Sequence, residues 1–146
     1  RQWGGDVVTT SNSQRKVGDA LTGFERHITQ DRVDAYAEAS GDHNPIHLNE
    51  EYASTTQFGT RIAHGMLSLA LVTEMLTSAF PNSWHHGGKL KVRFSAPVFP
   101  GEIVTTYGEI TEIKEEDGQL IVTCTIGCKK PDGTDAVAGQ ATVPLE

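Results

Sequence analysis

The chain has 146 residues, 37% hydrophobic and 21% charged, which suits one domain around a single core. Its net charge of −7 argues against nucleic acid or an anionic membrane as partner, while leaving room for a local basic patch that holds a phosphate. The one apolar segment near membrane length, IAHGMLSLALVTEMLTSAF, contains His64, Thr73 and Glu74 and reads as a buried helix rather than a span.

Residues 1–16, RQWGGDVVTTSNSQRK, are polar and aperiodic, lack the apolar core of a signal peptide, and read as a flexible lead-in to one domain over 17–146. A first strand is expected over Leu21–Ile28. In TQDRVDAYAEAS a short helix follows: Thr29 can cap it, Val33, Tyr36 and Ala37 share a face, and Gly41 suits the left-handed turn that ends it. Beyond the next loop, Asn49 caps EEYASTT, whose leading acids favour the positive end of the helix dipole. The longest helix, His64 to Phe80, is closed by Pro81 and is apolar nearly all round, so other structure must enclose it.

The period then changes. GGKLKVRFSAPVF, GEIVTTYGEITEIKEE, GQLIVTCTIGCKK and TDAVAGQATVPL are strand-like runs separated by Pro100-Gly101, Asp117-Gly118 and Asp132-Gly133. Asp-Gly pairs are hairpin signals, so the four strands are expected to form a meander in sequence order. The fold class is α+β, an antiparallel sheet wrapped around one long helix. The two cysteines, Cys124 and Cys128, would share a strand face about 13 Å apart, too far to bridge. They read as buried free thiols, as in a reducing cytoplasm.

The chemistry gathers in SGDHNPIHLNEEYA, Ser40 to Ala53. Asp42 and His47 are five positions apart, a spacing that no regular helix or strand would aim at one point. A loop bent by Gly41 and Pro45, with Asn44 bonding the turn internally, can bring them together. A carboxylate beside an imidazole can hold and deprotonate a water. An isolated Asp-His pair is more often a surface contact, and His43 reads as solvent-facing. The second element is RIAHGML, which puts His64 and Gly65 at the first turn of the buried helix. Amides there are unsatisfied donors at the positive dipole end, and glycine lets a ligand approach the Gly65 N–H closely. His64 reads as a core or supporting histidine. His85-His86 beside Trp84 lacks further ligands at metal spacing, Ser68 lacks a nucleophile elbow, and no phosphate-cradling glycine loop occurs.

SGDHNPIH followed by AHGM and VRFSAPVFPGE resembles the MaoC-like, R-specific enoyl-CoA hydratase (hydratase 2) family of the hot-dog superfamily, from about Val17 to Leu145. The resemblance implies a hot-dog fold, with Asp42 and His47 as the catalytic pair and the Gly65 amide on the thioester carbonyl. Gly41, Asn44, Pro45 and His64 would support the loop, and Tyr36 stands where the family signature has an aromatic residue. The implied reaction is R-specific hydration of trans-2-enoyl-CoA to 3-hydroxyacyl-CoA, reversibly, with no metal or other cofactor, coenzyme A being part of the substrate. Alternatives are a 3-hydroxyacyl-ACP dehydratase, an acyl-CoA thioesterase using Glu74, and a non-catalytic acyl-CoA-binding protein. Either Asp42 or His47 can be the base, and neutral-range titration favours His47. Lys89, Lys91 and Arg93 alternate on one sheet face, either solvated or contacting coenzyme A phosphates. A cytoplasmic homodimer is expected.

Overall fold

A computed structural model describes residues 15–146. Most of the expected lead-in, residues 1–14, lies outside the described residues. Arg15 stacks its guanidinium 4.3 Å over the Phe80 ring and donates to the Ala79 carbonyl at 2.8 Å.

In chain order the elements are β1 (Glu25–His27), α1 (Gln30–Ser40), α2 (Pro45–Leu48), α3 (Glu50–Ser54), α4 (Gly65–Ala79), α5 (Pro81–Gly87), β2 (Lys89–Phe94), β3 (Ile103–Glu116), β4 (Gln119–Lys129) and β5 (Asp135–Pro144). The strands form one antiparallel sheet in the order β1-β3-β4-β5-β2. Helix α4 lies on one face of it against β3, β4 and β5. This is the α+β hot-dog arrangement expected from the sequence.

The meander holds only for β3, β4 and β5. Asp117 and Gly118 both take positive φ, 50° and 80°, the pattern of the tight hairpin turn that joins β3 to β4. β2 departs from it, pairing with β5 at the far edge rather than with β3. Its link to β3 runs through Pro97 and Pro100 and has no two-residue hairpin turn, so nothing local forces those strands together. β1 is also shorter than expected. The Phe24 amide donates to the Thr106 hydroxyl at 3.0 Å, and the regular ladder begins only at Glu25. Pro81 closes the long helix as expected, α4 ending at Ala79 with Phe80 as its cap. With its fixed φ it also starts α5, where its missing N–H costs nothing.

Thr29 caps α1 by accepting from the Arg32 amide, and Gly41 ends it at φ 80°. Asn49 caps α3 by accepting from the Tyr52 amide. The core joins Leu71, Val72, Met75 and Leu76 of α4 to Ile110, Val122, Ile126 and Val143 of the sheet. Cys124 and Cys128 are free and buried in that layer, and burial pushes both thiols up to about 11, so neither is a nucleophile near neutrality. No helix among the described residues is long and apolar enough to cross a membrane.

Leu76 has no exposed surface. Leu76→Ala is expected to lower unfolding free energy by about 2–5 kcal/mol, read from the urea midpoint. A loss below about 1 kcal/mol would contradict an enclosed central helix.

Candidate active site

The loop after α1 is shaped by its own side chains. Asn44 accepts from the Ile46 amide and Pro45 occupies the first turn, producing the one-turn helix α2, which the sequence pattern did not suggest. Asp42 accepts from the Asn44 amide at 3.2 Å, closing an Asx turn. Asp42 is exposed, whereas His47, on α2, is buried.

Two chain segments meet here. The approach to α4 runs beside the loop, with the Ile62 amide donating to the Ile46 carbonyl and the Ala63 amide to the Val98 carbonyl. His47 Nδ1 lies 2.7 Å from the Ile62 carbonyl oxygen. That oxygen can only accept, so Nδ1 carries the proton and Nε2 of the neutral ring is a bare lone pair. Burial pushes the His47 pKa below the ordinary imidazole value, with the neighbouring His64 ring acting in the same direction. At neutral pH the ring is uncharged and able to take a proton.

His64 Nε2 donates to the Asp42 backbone carbonyl at 2.9 Å, so this buried histidine holds the main chain of the acid and not its carboxylate. Its ring stacks on His47 with centroids 3.8 Å apart and planes 28° apart, and Tyr36 closes the other side at 4.8 Å. His64 Nδ1 is buried without a partner among the described residues. The ligand atoms of Asp42, His47 and His64 all lie within 4.8 Å of one another. A water hydrogen-bonded to both Asp42 and His47 fits such a gap. The same three could be considered for a metal ion. Near-parallel stacking, however, directs the in-plane lone pairs of the two rings side by side rather than at one point.

Gly65 is the first residue of α4, and its amide donates to no group among the described residues. A Cβ at this position would come within 3.0 Å of the Phe94 ring, which explains the glycine. Beside it opens a cavity of about 300 Å³ lined by Phe58, Ile62, Ser68, Phe94 and Val137 among others. The site therefore combines an exposed carboxylate, a neutral imidazole with a free lone pair, a helix-end N–H and a mainly apolar hollow.

His43 points outward to Glu38 and the Gly41 carbonyl, as expected. Lys89, Lys91 and Arg93 are exposed on edge strand β2, without ion-pair partners among the described residues and outside the Asp42–His47–His64 cluster. His86 is bonded to the Glu146 carboxylate. The sequence reading missed the Ile62 carbonyl, a backbone atom that no residue pattern announces. It also missed Gln30, which donates to the His47 carbonyl at 2.9 Å.

An antiparallel sheet carrying one central helix, with an Asp-His loop against that helix's N-terminus, defines a hot-dog protein of the hydratase type. The MaoC like domain matches residues 12–129. The chain is 37% identical over 106 residues to the 3-hydroxybutyryl-CoA dehydratase of Methylorubrum extorquens, covering 71% of this chain and 68% of that one. It is 36% identical over 118 residues to the (R)-specific enoyl-CoA hydratase of Rhodospirillum rubrum, covering 80% and 78%. The solved structure of the (R)-hydratase from A. caviae involved in PHA biosynthesis superposes with a TM-score of 0.79 at 32% identity, over 90% of this chain and 98% of that one. The chain belongs to the MaoC-like domain family.

Proposed function

We propose that the protein is a hydro-lyase that adds water R-specifically to trans-2-enoyl-CoA, giving 3-hydroxyacyl-CoA, and runs the reverse dehydration. The observation that carries this is the Asp42 carboxylate close to a neutral His47, with the unpaired Gly65 amide at the neighbouring helix end. The names of the Methylorubrum and Rhodospirillum relatives support the same substrate class and stereochemistry.

The thioester carbonyl accepts a hydrogen bond from the Gly65 N–H, which draws electron density from C3. Asp42 and His47 hold the water. As its oxygen bonds to C3, His47 Nε2 takes its proton, the C2–C3 π electrons move toward the thioester oxygen, and the enolate is held by the helix-end amide. A proton then reaches C2 from the same acid–base pair, so the steps sum to addition of one water and consume no cofactor. Lys89, Lys91 and Arg93 are free cations that can meet the coenzyme A phosphates. A second copy of the chain would cover Met66 and Phe94, each about half exposed beside Gly65, and light scattering checks that mass.

The thioesterase reading fares worse. Glu74 is held by Arg26 at 3.2 Å and lies more than two turns from Gly65. A short trans-2-enoyl-CoA should lose its conjugated absorbance without releasing thiol. Thiol release would replace the hydratase by a thioesterase.

The amide donor can be isolated. His64 already has the extended backbone that precedes proline, and Gly65 stands where a helix accepts proline. Gly65→Pro and Gly65→Ala introduce the same Cβ against Phe94, but only the first removes the N–H. Gly65→Pro is expected to turn over about 10²-fold more slowly than Gly65→Ala. Equal rates would remove the amide from the mechanism.

A further inference from the structure

Gln30, the first residue of α1, has an arrangement that packing alone does not explain. Its Nε2 donates to two acceptors, the Asp34 carboxylate and the His47 carbonyl, each at 2.9 Å. Its own Oε1 is buried with no partner among the described residues. A buried acceptor left unpaired is costly, and exchanging the amide oxygen and nitrogen would set oxygen against oxygen on both sides. The side chain is therefore oriented by what its N–H groups hold.

What they hold is the backbone of His47. α2 is a single turn whose Asn49 amide returns to the Pro45 carbonyl. Gln30 supplies the donor to the His47 carbonyl from 17 residues upstream, on a helix anchored in the core through Val33 and Ala37. Beyond the bond of its amide to the Asn44 carbonyl within the turn, His47 is held by two more distant segments: its carbonyl by Gln30 and its ring by Ile62. Removing the Gln30 bond leaves α2 tied to the Ile62 segment alone, through the Ile46 carbonyl and the His47 ring, and loosens its hold on the α1 side.

We infer that Gln30 is a positioning residue for the reaction, setting the aim of the His47 imidazole by donating to the His47 carbonyl. The inference rests on the reading of His47 as the base. Its chemistry is specific: a donor is required there, so an isosteric acceptor fails. Misplacing a reacting group by about 1 Å can cost on the order of 10²-fold in rate, and a tilt of α2 should cost about 10-fold.

The test compares wild type, Gln30→Glu and Gln30→Ala, with kcat and KM on a short trans-2-enoyl-CoA across a pH series. Tm and the ring ¹⁵N shifts of histidine-labelled protein are measured alongside. Gln30→Glu is expected to keep KM within about twofold and lose about 10-fold in kcat above neutrality, where its carboxylate faces two acceptors. The ratio of its kcat to that of wild type should recover as pH falls and the introduced carboxyl regains a proton to donate. Gln30→Ala should show a loss that does not depend on pH. In wild type the His47 shifts should report the Nδ1–H tautomer, and in Gln30→Glu they should broaden or move toward the tautomer average. A flat kcat ratio with unchanged His47 shifts would overturn the positioning role, as would a loss that tracks Tm alone. A wild-type protein inactive on the enoyl thioester would instead overturn the hydratase reading, and the ¹⁵N comparison would still decide the structural link from Gln30 to His47.

Discussion

Asp42→Asn is expected to lower kcat for enoyl-thioester hydration by about 10³-fold while leaving Tm within about 2 °C of wild type, the loss being within the range of acid–base catalysis by one group. The stability half follows from how the residue is held. Its backbone carbonyl, not its carboxylate, receives the His64 N–H, and among the described residues its Oδ1 accepts only from the Asn44 amide. An asparagine oxygen can accept that same bond, so the Asx turn survives. What disappears is the charge that can hold a water and exchange its proton. Enoyl absorbance measured beside a thermal melt separates the two effects. A variant within about tenfold of wild type would leave Asp42 a loop residue, with its chemistry lying elsewhere.

His47→Asn should cost about 10²- to 10⁴-fold, because the asparagine amide nitrogen stands in for Nδ1 and can donate to the Ile62 carbonyl but has no lone pair able to take a proton near neutrality. The pH profile gives a second, independent reading. Burial holds the folded-state pKa of His47 below that of the unfolded chain. The base is therefore present above its lowered pKa, and kcat should be level near neutrality with its acid limb below the ordinary imidazole range. Stability has the same sign. Between the two pKa values the unfolded chain binds more protons than the fold, so this histidine's contribution is full above the unfolded value and falls away as pH drops through the folded one. His47→Asn should remove that part of the acid destabilisation. An acid limb above the free imidazole value would contradict a buried, neutral His47 as the group whose deprotonated form the reaction needs.

The candidate site was largely legible in the sequence because its residues lie in one contiguous loop, Gly41 to Asn49, and one helix start, His64-Gly65. Glycine, proline and asparagine announce turns by their own local chemistry, so Thr29, Gly41 and Asn49 could be placed at helix ends from residue type alone. The strand order was less accessible. β2 lies beside β5 through contacts between residues roughly 50 positions apart in sequence, and a local pattern records the existence of a strand but not its neighbour. Helix α2 was hidden because one turn is too short for a period to show. The Ile62 carbonyl and the Gln30 donor were illegible for different reasons: the first is main chain, and the second is a common polar side chain whose importance depends on where its partner arrives.

The hold on Asp42 has a consequence for descent. Because the loop is tied through the main chain of residue 42 and through an Asx turn that an amide oxygen accepts as well as a carboxylate does, its shape does not depend on the charge it presents. On the proposed mechanism, a lineage that exchanges this carboxylate for its amide in a single step loses the reaction and still inherits the hollow, the helix-end amide and the fold. On the same reading, a binding protein that keeps this hollow lies one substitution away from the active form, with no need to rebuild the scaffold. Gain of activity is equally short in the other direction, since an inactive copy with this loop intact already has the pocket and lacks only the charge.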